Sequence, residues 1–134
     1  MAEAYLKKRL AEEGLSIEVK SAGTLGGNGL SPTREAFKVL ANEGIDPEGY
    51  ESKILTEDFI NWADIILVME PAHKVKVISL VPEAEERIYY LGEFNEEPGD
   101  IVIPDPIGRQ LAFYRVSFRL IKQSIEGFLE WLKK

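Results

Sequence analysis

Asp64-Ile65-Ile66-Leu67-Val68-Met69 carries the longest uninterrupted apolar run in the chain, Ile65 to Met69. A strand without polar alternation is one covered on both faces, as parallel strands between helices are. Working outward, Glu70-Pro71 opens a helix carrying His73, Val77, Ile78 and Leu80, and Pro82 stops it. Arg87 to Leu91 reads as the next strand. On the upstream side, Thr56 caps a short helix from Glu57 to Trp62. Trp62 is expected in the core or as a half-buried wall.

The pattern continues to both ends. Ala2 to Glu13 is a run of strong helix formers stopped by Gly14. It has no N-cap of its own, since Met1 stands where Ser, Thr or Asp is favoured. Ile17 to Ala22 reads as a strand, followed by the glycine-rich loop Gly23 to Gly29. That loop suits either a backbone approach to a ligand or a flexible surface, and it matches no nucleotide-binding fingerprint. Ser31-Pro32 supplies an N-cap and first turn for a second helix, with Ala36, Val39 and Leu40 as its apolar face and Gly44 as its end. From Gln110 to Lys133, the residues Leu111, Tyr114, Phe118, Ile121, Ile125 and Phe128 recur at helical spacing, and Leu129 and Leu132 continue the stripe. Helices alternating with strands predict an α/β protein with a parallel sheet. The ligand crevice of such a sheet lies beyond the carboxyl ends of its strands.

Composition narrows the chemistry. The chain has 134 residues, 45% of them hydrophobic, and reads as a single domain over 1–134. Net charge is -7, with no basic run, which argues against a nucleic-acid partner. The apolar run is too short to span a bilayer, and no leader is evident, so the chain is read as cytoplasmic and free of membrane. There is no cysteine and one histidine. A disulfide, a thiolate nucleophile and a His-pair metal site are therefore excluded within this chain, and no metal or other cofactor is expected.

One loop on the expected rim stands out. In Asp100-Ile101-Val102-Ile103-Pro104-Asp105-Pro106-Ile107-Gly108, two prolines stiffen the backbone around Asp105. Taken alone, Asp-Pro-x-Gly is foremost a turn signal. Placed on the functional rim, a rigidly presented carboxyl is also a candidate proton donor. His73 is read as an exposed or packing residue with no catalytic role.

Several segments, in order, resemble the low-molecular-weight protein tyrosine phosphatases, closest to their bacterial and archaeal branch. They are Ser21-Ala22-Gly23-Thr24, Gly44-Ile45-Asp46, Ser52-Lys53-Ile54-Leu55-Thr56, Ala63-Asp64 through Met69, His73-Lys74 and Asp105-Pro106-x-Gly108. The resemblance covers the whole chain. It implies a three-layer α/β/α fold with a parallel, flavodoxin-like sheet, and hydrolysis of phosphorylated proteins or small phosphomonoesters through a cysteinyl phosphate. Asp105 matches the family's general acid. Ser21 matches a serine that hydrogen-bonds the catalytic loop, and Ile107 stands where an aromatic residue usually flanks the substrate ring. Tyr50 replaces a histidine common in bacterial members.

The resemblance also implies an omission. The family's phosphate loop runs from a cysteine through five residues to an arginine and Ser-Pro, commonly followed by Met-Ala-Glu-Ala. Here Met1-Ala2-Glu3-Ala4 opens the chain. The expectation is an N-terminally truncated domain lacking the first strand and the nucleophile loop, and inactive as it stands. A related branch acts on phosphoarginine, a second alternative. A non-catalytic binding protein on this scaffold is a third, and the cysteine-dependent arsenate reductases rank last. In the family the first strand lies between the Ile17–Ala22 and Ile65–Met69 strands. Its loss predicts either close repacking of those two strands or a dimer through an exposed sheet edge.

Overall fold

The computed structural model describes residues 1–24, 28–97, 99 and 101–134. Its helices are α1 (Ala2–Glu12), α2 (Arg34–Ala41), α3 (Glu57–Trp62), α4 (Pro71–Leu80) and α5 (Leu111–Leu132). Two strands, β1 (Ile66–Val68) and β2 (Ile88–Tyr90), pair in parallel, with Ile66 opposite Ile88 and Val68 opposite Tyr90. Short 3-10 turns at Pro82–Arg87 and Leu91–Phe94 bracket β2.

The apolar run around β1 divides between two cores because strand side chains alternate. Ile65, Leu67 and Met69 pack on a core built with α1, α2 and α5. Ile66 and Val68 pack on the other face, with Ile60 of α3 and Val77 of α4. The sheet thus has helices on both sides, in a three-layer α/β/α arrangement.

Local chemistry sets the helix starts. The Thr56 hydroxyl accepts from the Phe59 amide at 3.3 Å, as the sequence predicts. Helix α2 is capped by Thr33 and not by Ser31: the Thr33 hydroxyl accepts from the Ala36 amide at 3.2 Å and donates to the Tyr114 hydroxyl at 3.0 Å. Contact with α5 fixes where this helix begins. Ala36, Val39 and Leu40 are buried, as are Tyr114, Phe118, Ile121, Ile125, Phe128 and Leu129 of α5. Leu111 and Leu132 are half-buried at its ends.

Two glycines let the chain after β2 cross α5 and fold back. A Cβ on Gly127 would lie 1.7 Å from the Phe94 carbonyl oxygen, and one on Gly92 would lie 2.0 Å from that of Ile101. The backbones meet where only a hydrogen fits.

Three expectations need correction. Residues 17–22 form no strand ladder and make no backbone hydrogen bond to a described residue. The nearest pairing is one parallel bridge, Gly23 with Ile54. A strand exists only through a bonded neighbour, and 17–22 have none among the described residues. Nor have 17–22 and β1 repacked against each other, since no backbone bond joins them. Trp62 is not in the core: it is 41% exposed, with the Lys20 ammonium 4.3 Å from its ring centre. Of the glycine-rich loop, residues 25–27 lie outside the described residues, as do Pro98 and Asp100.

Candidate active site

The carboxyl end of β1 holds the Asp105 loop. The Met69 carbonyl accepts from the Ile103 amide at 3.0 Å. The Met69 amide donates to His73 Nδ1 at 3.3 Å, and His73 Nε2 lies 3.3 Å from the Glu70 carboxylate. Nδ1 thus takes the Met69 amide while Nε2 faces Glu70. His73 is therefore a structural partner of the backbone at the rim. One residue beyond Ile103, the buried Ser117 hydroxyl of α5 donates to the Pro104 carbonyl at 3.0 Å. Pro106 is buried as well.

Asp105 stands between these anchors and is exposed. Its Oδ1 accepts from the Ile107 amide at 3.0 Å. The Pro106 carbonyl accepts from Arg109 at 2.9 Å, and Gly108 takes φ +78. The turn reading is correct locally, since Asp105 caps its own turn. The same turn presents the carboxyl to solvent on a backbone pinned from β1 and from α5. Ile107 is 67% exposed on this loop.

The start of α1 lies within electrostatic reach of this loop. Burial lowers the pKa of the Met1 amine, while the charges of Glu3 and Asp105 raise it, so the Asp105 carboxyl acts on the start of α1. Ser21 reaches the same turn by donating its hydroxyl to the Glu3 carboxylate. Glu3 is also paired with Lys7 at 2.6 Å. Asp105 and Ser21 thus converge on α1 without bonding to each other. No side chain caps α1, so its first-turn amides lack an intrahelical acceptor, at the end where the helix dipole favours an anion.

The sequence placed Asp105, Ile107 and Ser21 on the rim, but it did not identify Glu3, Lys7 or Ser117. Glu3 and Lys7 are spaced i, i+4, a signal for an ion pair but not for a site. With Tyr50 and Lys53 they line an open groove of about 440 Å³ beside Ser21's partner. Lys7 Nζ stands 5.3 Å from the Tyr50 ring centre. Ser117 sits among apolar stripe residues and carried no signal of its own. No group of three or more His, Cys, Asp or Glu that could hold a metal occurs among the described residues.

A carboxyl of this kind can protonate an oxygen leaving from a group held at the α1 N-terminus. Acting as the acid, it needs a separate nucleophile. The chain has no cysteine. Ser21 does have a carboxylate neighbour, which sequence reasoning did not find, but that carboxylate is already ion-paired to Lys7.

The α/β/α layer order and the aspartate on its rim are shared by several protein classes, and comparison with known proteins decides among them. The model for low molecular weight phosphotyrosine protein phosphatases matches residues 1–134, and the chain belongs to that family. It is 31% identical to a protein-arginine-phosphatase of Geobacillus stearothermophilus, over 99% of this chain and 86% of the relative. It is 28% identical to the low molecular weight protein-tyrosine-phosphatase Etp of Escherichia coli, over 100% of this chain and 84% of the relative. The crystal structure of a low molecular weight protein tyrosine phosphatase from T. tengcongensis superimposes with a TM-score of 0.86. It is 32% identical, and the match covers 96% of this chain and 87% of that one.

Proposed function

We propose that this chain is the acid-bearing part of a phosphomonoester hydrolase that works through a cysteinyl phosphate. Its first strand, cysteine nucleophile and phosphate-gripping arginine would lie in a segment the chain does not contain. The observation that carries this reading is the Asp105 carboxyl, pinned on the rim within electrostatic reach of the Met1 amine, in a family member with no cysteine. In this reading a thiolate attacks phosphorus, amides at the α1 N-terminus help hold the oxygens, and Asp105 protonates the leaving oxygen. Asp105 then assists the water that cleaves the phosphocysteine. Ser21 steadies the completed loop, and Ile107 flanks the substrate. As it stands, the chain is inactive.

The reading frame immediately upstream tests the proposal. It should encode a short apolar strand, then Cys, five residues and Arg-Ser-Pro; a frame without them overturns the proposal. A chain extended by that segment should hydrolyse para-nitrophenyl phosphate. Asp105→Asn in it should lower kcat by about 10²–10⁴-fold.

Phosphoarginine is the second reading. It is supported by the relative named protein-arginine-phosphatase and by Ile107, an aliphatic side chain at the candidate substrate wall. Turnover of phosphoarginine and phosphotyrosine peptides by the extended chain decides between them.

A further inference from the structure

The outward face of the N-terminal half of α5 carries charge that the fold does not use. From residue 106 to residue 125 there is no Asp or Glu, yet Arg109, Arg115, Arg119 and Lys122 fall there, in a chain of net charge -7. Lys122 pairs with Glu43, just after α2. The arginines form no ion pair with a described residue. Helical spacing puts Arg115, Val116 and Arg119 on one exposed face, with Phe113 at its edge. Phe113 is 50% exposed and Val116 45%. Arg109 stands against Phe113, its guanidinium carbon 5.1 Å from the ring centre. Two residues before Arg109, exposed Ile107 belongs to the Asp105 loop, so the face begins where the candidate site ends.

Helix stability does not explain the pattern. Arg115 and Arg119 stand i, i+4, where like charges cost about 0.2–0.5 kcal/mol. Arg109 precedes the positive end of the helix dipole, and the first turn holds no acid to offset it. An anionic partner would relieve all three. We infer that this face is a docking surface for an acidic segment of a partner protein, with apolar side chains among its carboxylates. The carboxylates meet Arg109, Arg115 and Arg119, and the apolar side chains cover Phe113 and Val116. Taking that partner as the phosphorylated protein substrate rests on the proposed function; the docking itself does not. A second copy of the chain is a poor occupant, because it brings the same net charge of -7. An anionic membrane is also poor. A plane meets the acidic surroundings of the patch, whereas a single segment feels only charges within a screening length of about 8–10 Å.

The probe is an acetylated, amidated peptide of sequence Glu-Glu-Leu-Phe-Glu-Glu-Leu-Glu-Glu, titrated into the intact, isotope-labelled chain. Affinity and location are read together from amide NMR shifts. The surface predicts one peptide per chain, shifts centred on residues 109–119, and binding that weakens as salt rises. Arg115→Gln combined with Arg119→Gln should weaken binding about threefold or more, as should Phe113→Ser. The double arginine variant should leave the melting midpoint unchanged or raise it, since it removes a repulsion. Lys76→Gln, at an exposed position on α4, should leave binding unchanged. No binding at about 1 mM peptide, shifts confined to other residues, equal loss in Lys76→Gln, or equal binding of the peptide with Lys for every Glu would overturn the surface. So would phosphatidylglycerol vesicles that bind through these arginines when the peptide does not, or a dimer in light scattering that the double variant dissolves. No catalysis enters the test, so its failure leaves the phosphatase reading standing, and an inactive extended chain leaves the docking surface standing.

Discussion

Asp105 is held by residues that have no chemistry of their own in the proposed reaction. Met69 and Ser117 fix the loop just ahead of it, through the Ile103 amide and the Pro104 carbonyl. Ser117→Ala leaves the Pro104 carbonyl without that partner and should destabilise the protein by about 1–3 kcal/mol. Amide exchange should rise first in residues 103–109; a rise spread evenly over the chain would argue against a local anchor. Thr33→Ala removes the α2 cap and the bond to Tyr114, and should cost about 1–2 kcal/mol in denaturant unfolding. The sequence exposed Asp105 because two prolines and a glycine mark a stiff turn. It hid the cap at Thr33, because the choice between Ser31 and Thr33 is made by Tyr114, 81 residues away. Ser21's partner was hidden for the same reason, since Glu3 is reached through tertiary folding.

Helix α5 was the most legible element, and its stripe of apolar residues is the main wall of the larger core. What the stripe did not disclose is the close crossing at Gly127. Gly127→Ala places a methyl group against the Phe94 carbonyl and should destabilise by at least about 1–3 kcal/mol, read as a lowered denaturation midpoint. Helices α1 and α5 are also joined by charge. Arg9 grips the Glu126 carboxylate with Nε and Nη2 at 2.8 and 2.9 Å, and the Tyr5 hydroxyl donates to it at 2.9 Å. Arg9, then Tyr5, hold the Glu126 carboxyl below its ordinary value of 4.5 against the opposing effect of burial. A depressed acid stabilises the fold above its unfolded pKa and loses that contribution as pH falls through the folded one. Stability of the parent should therefore drop more steeply below pH 4.5 than that of Glu126→Gln, followed by thermal melts. Glu126 is half-exposed, so the difference is small and should shrink in high salt.

At the scale of the molecule, the apolar run predicts a strand covered on both faces, while the three-layer order is what the family resemblance implies. Ile65 to Met69 turns alternate side chains to two different cores, which requires helices on both faces. The Ile17–Ala22 strand was misread because propensity describes a segment, whereas a ladder needs a neighbour. Val19 is half-buried against the core, but no backbone partner bonds the segment among the described residues. In the proposed reading the nucleophile belongs to a segment that this chain does not contain, which makes activity of the chain itself the most direct test. Purified polypeptide of this sequence, assayed with para-nitrophenyl phosphate, should show no turnover above buffer. Hydrolysis that vanadate inhibits would contradict the account.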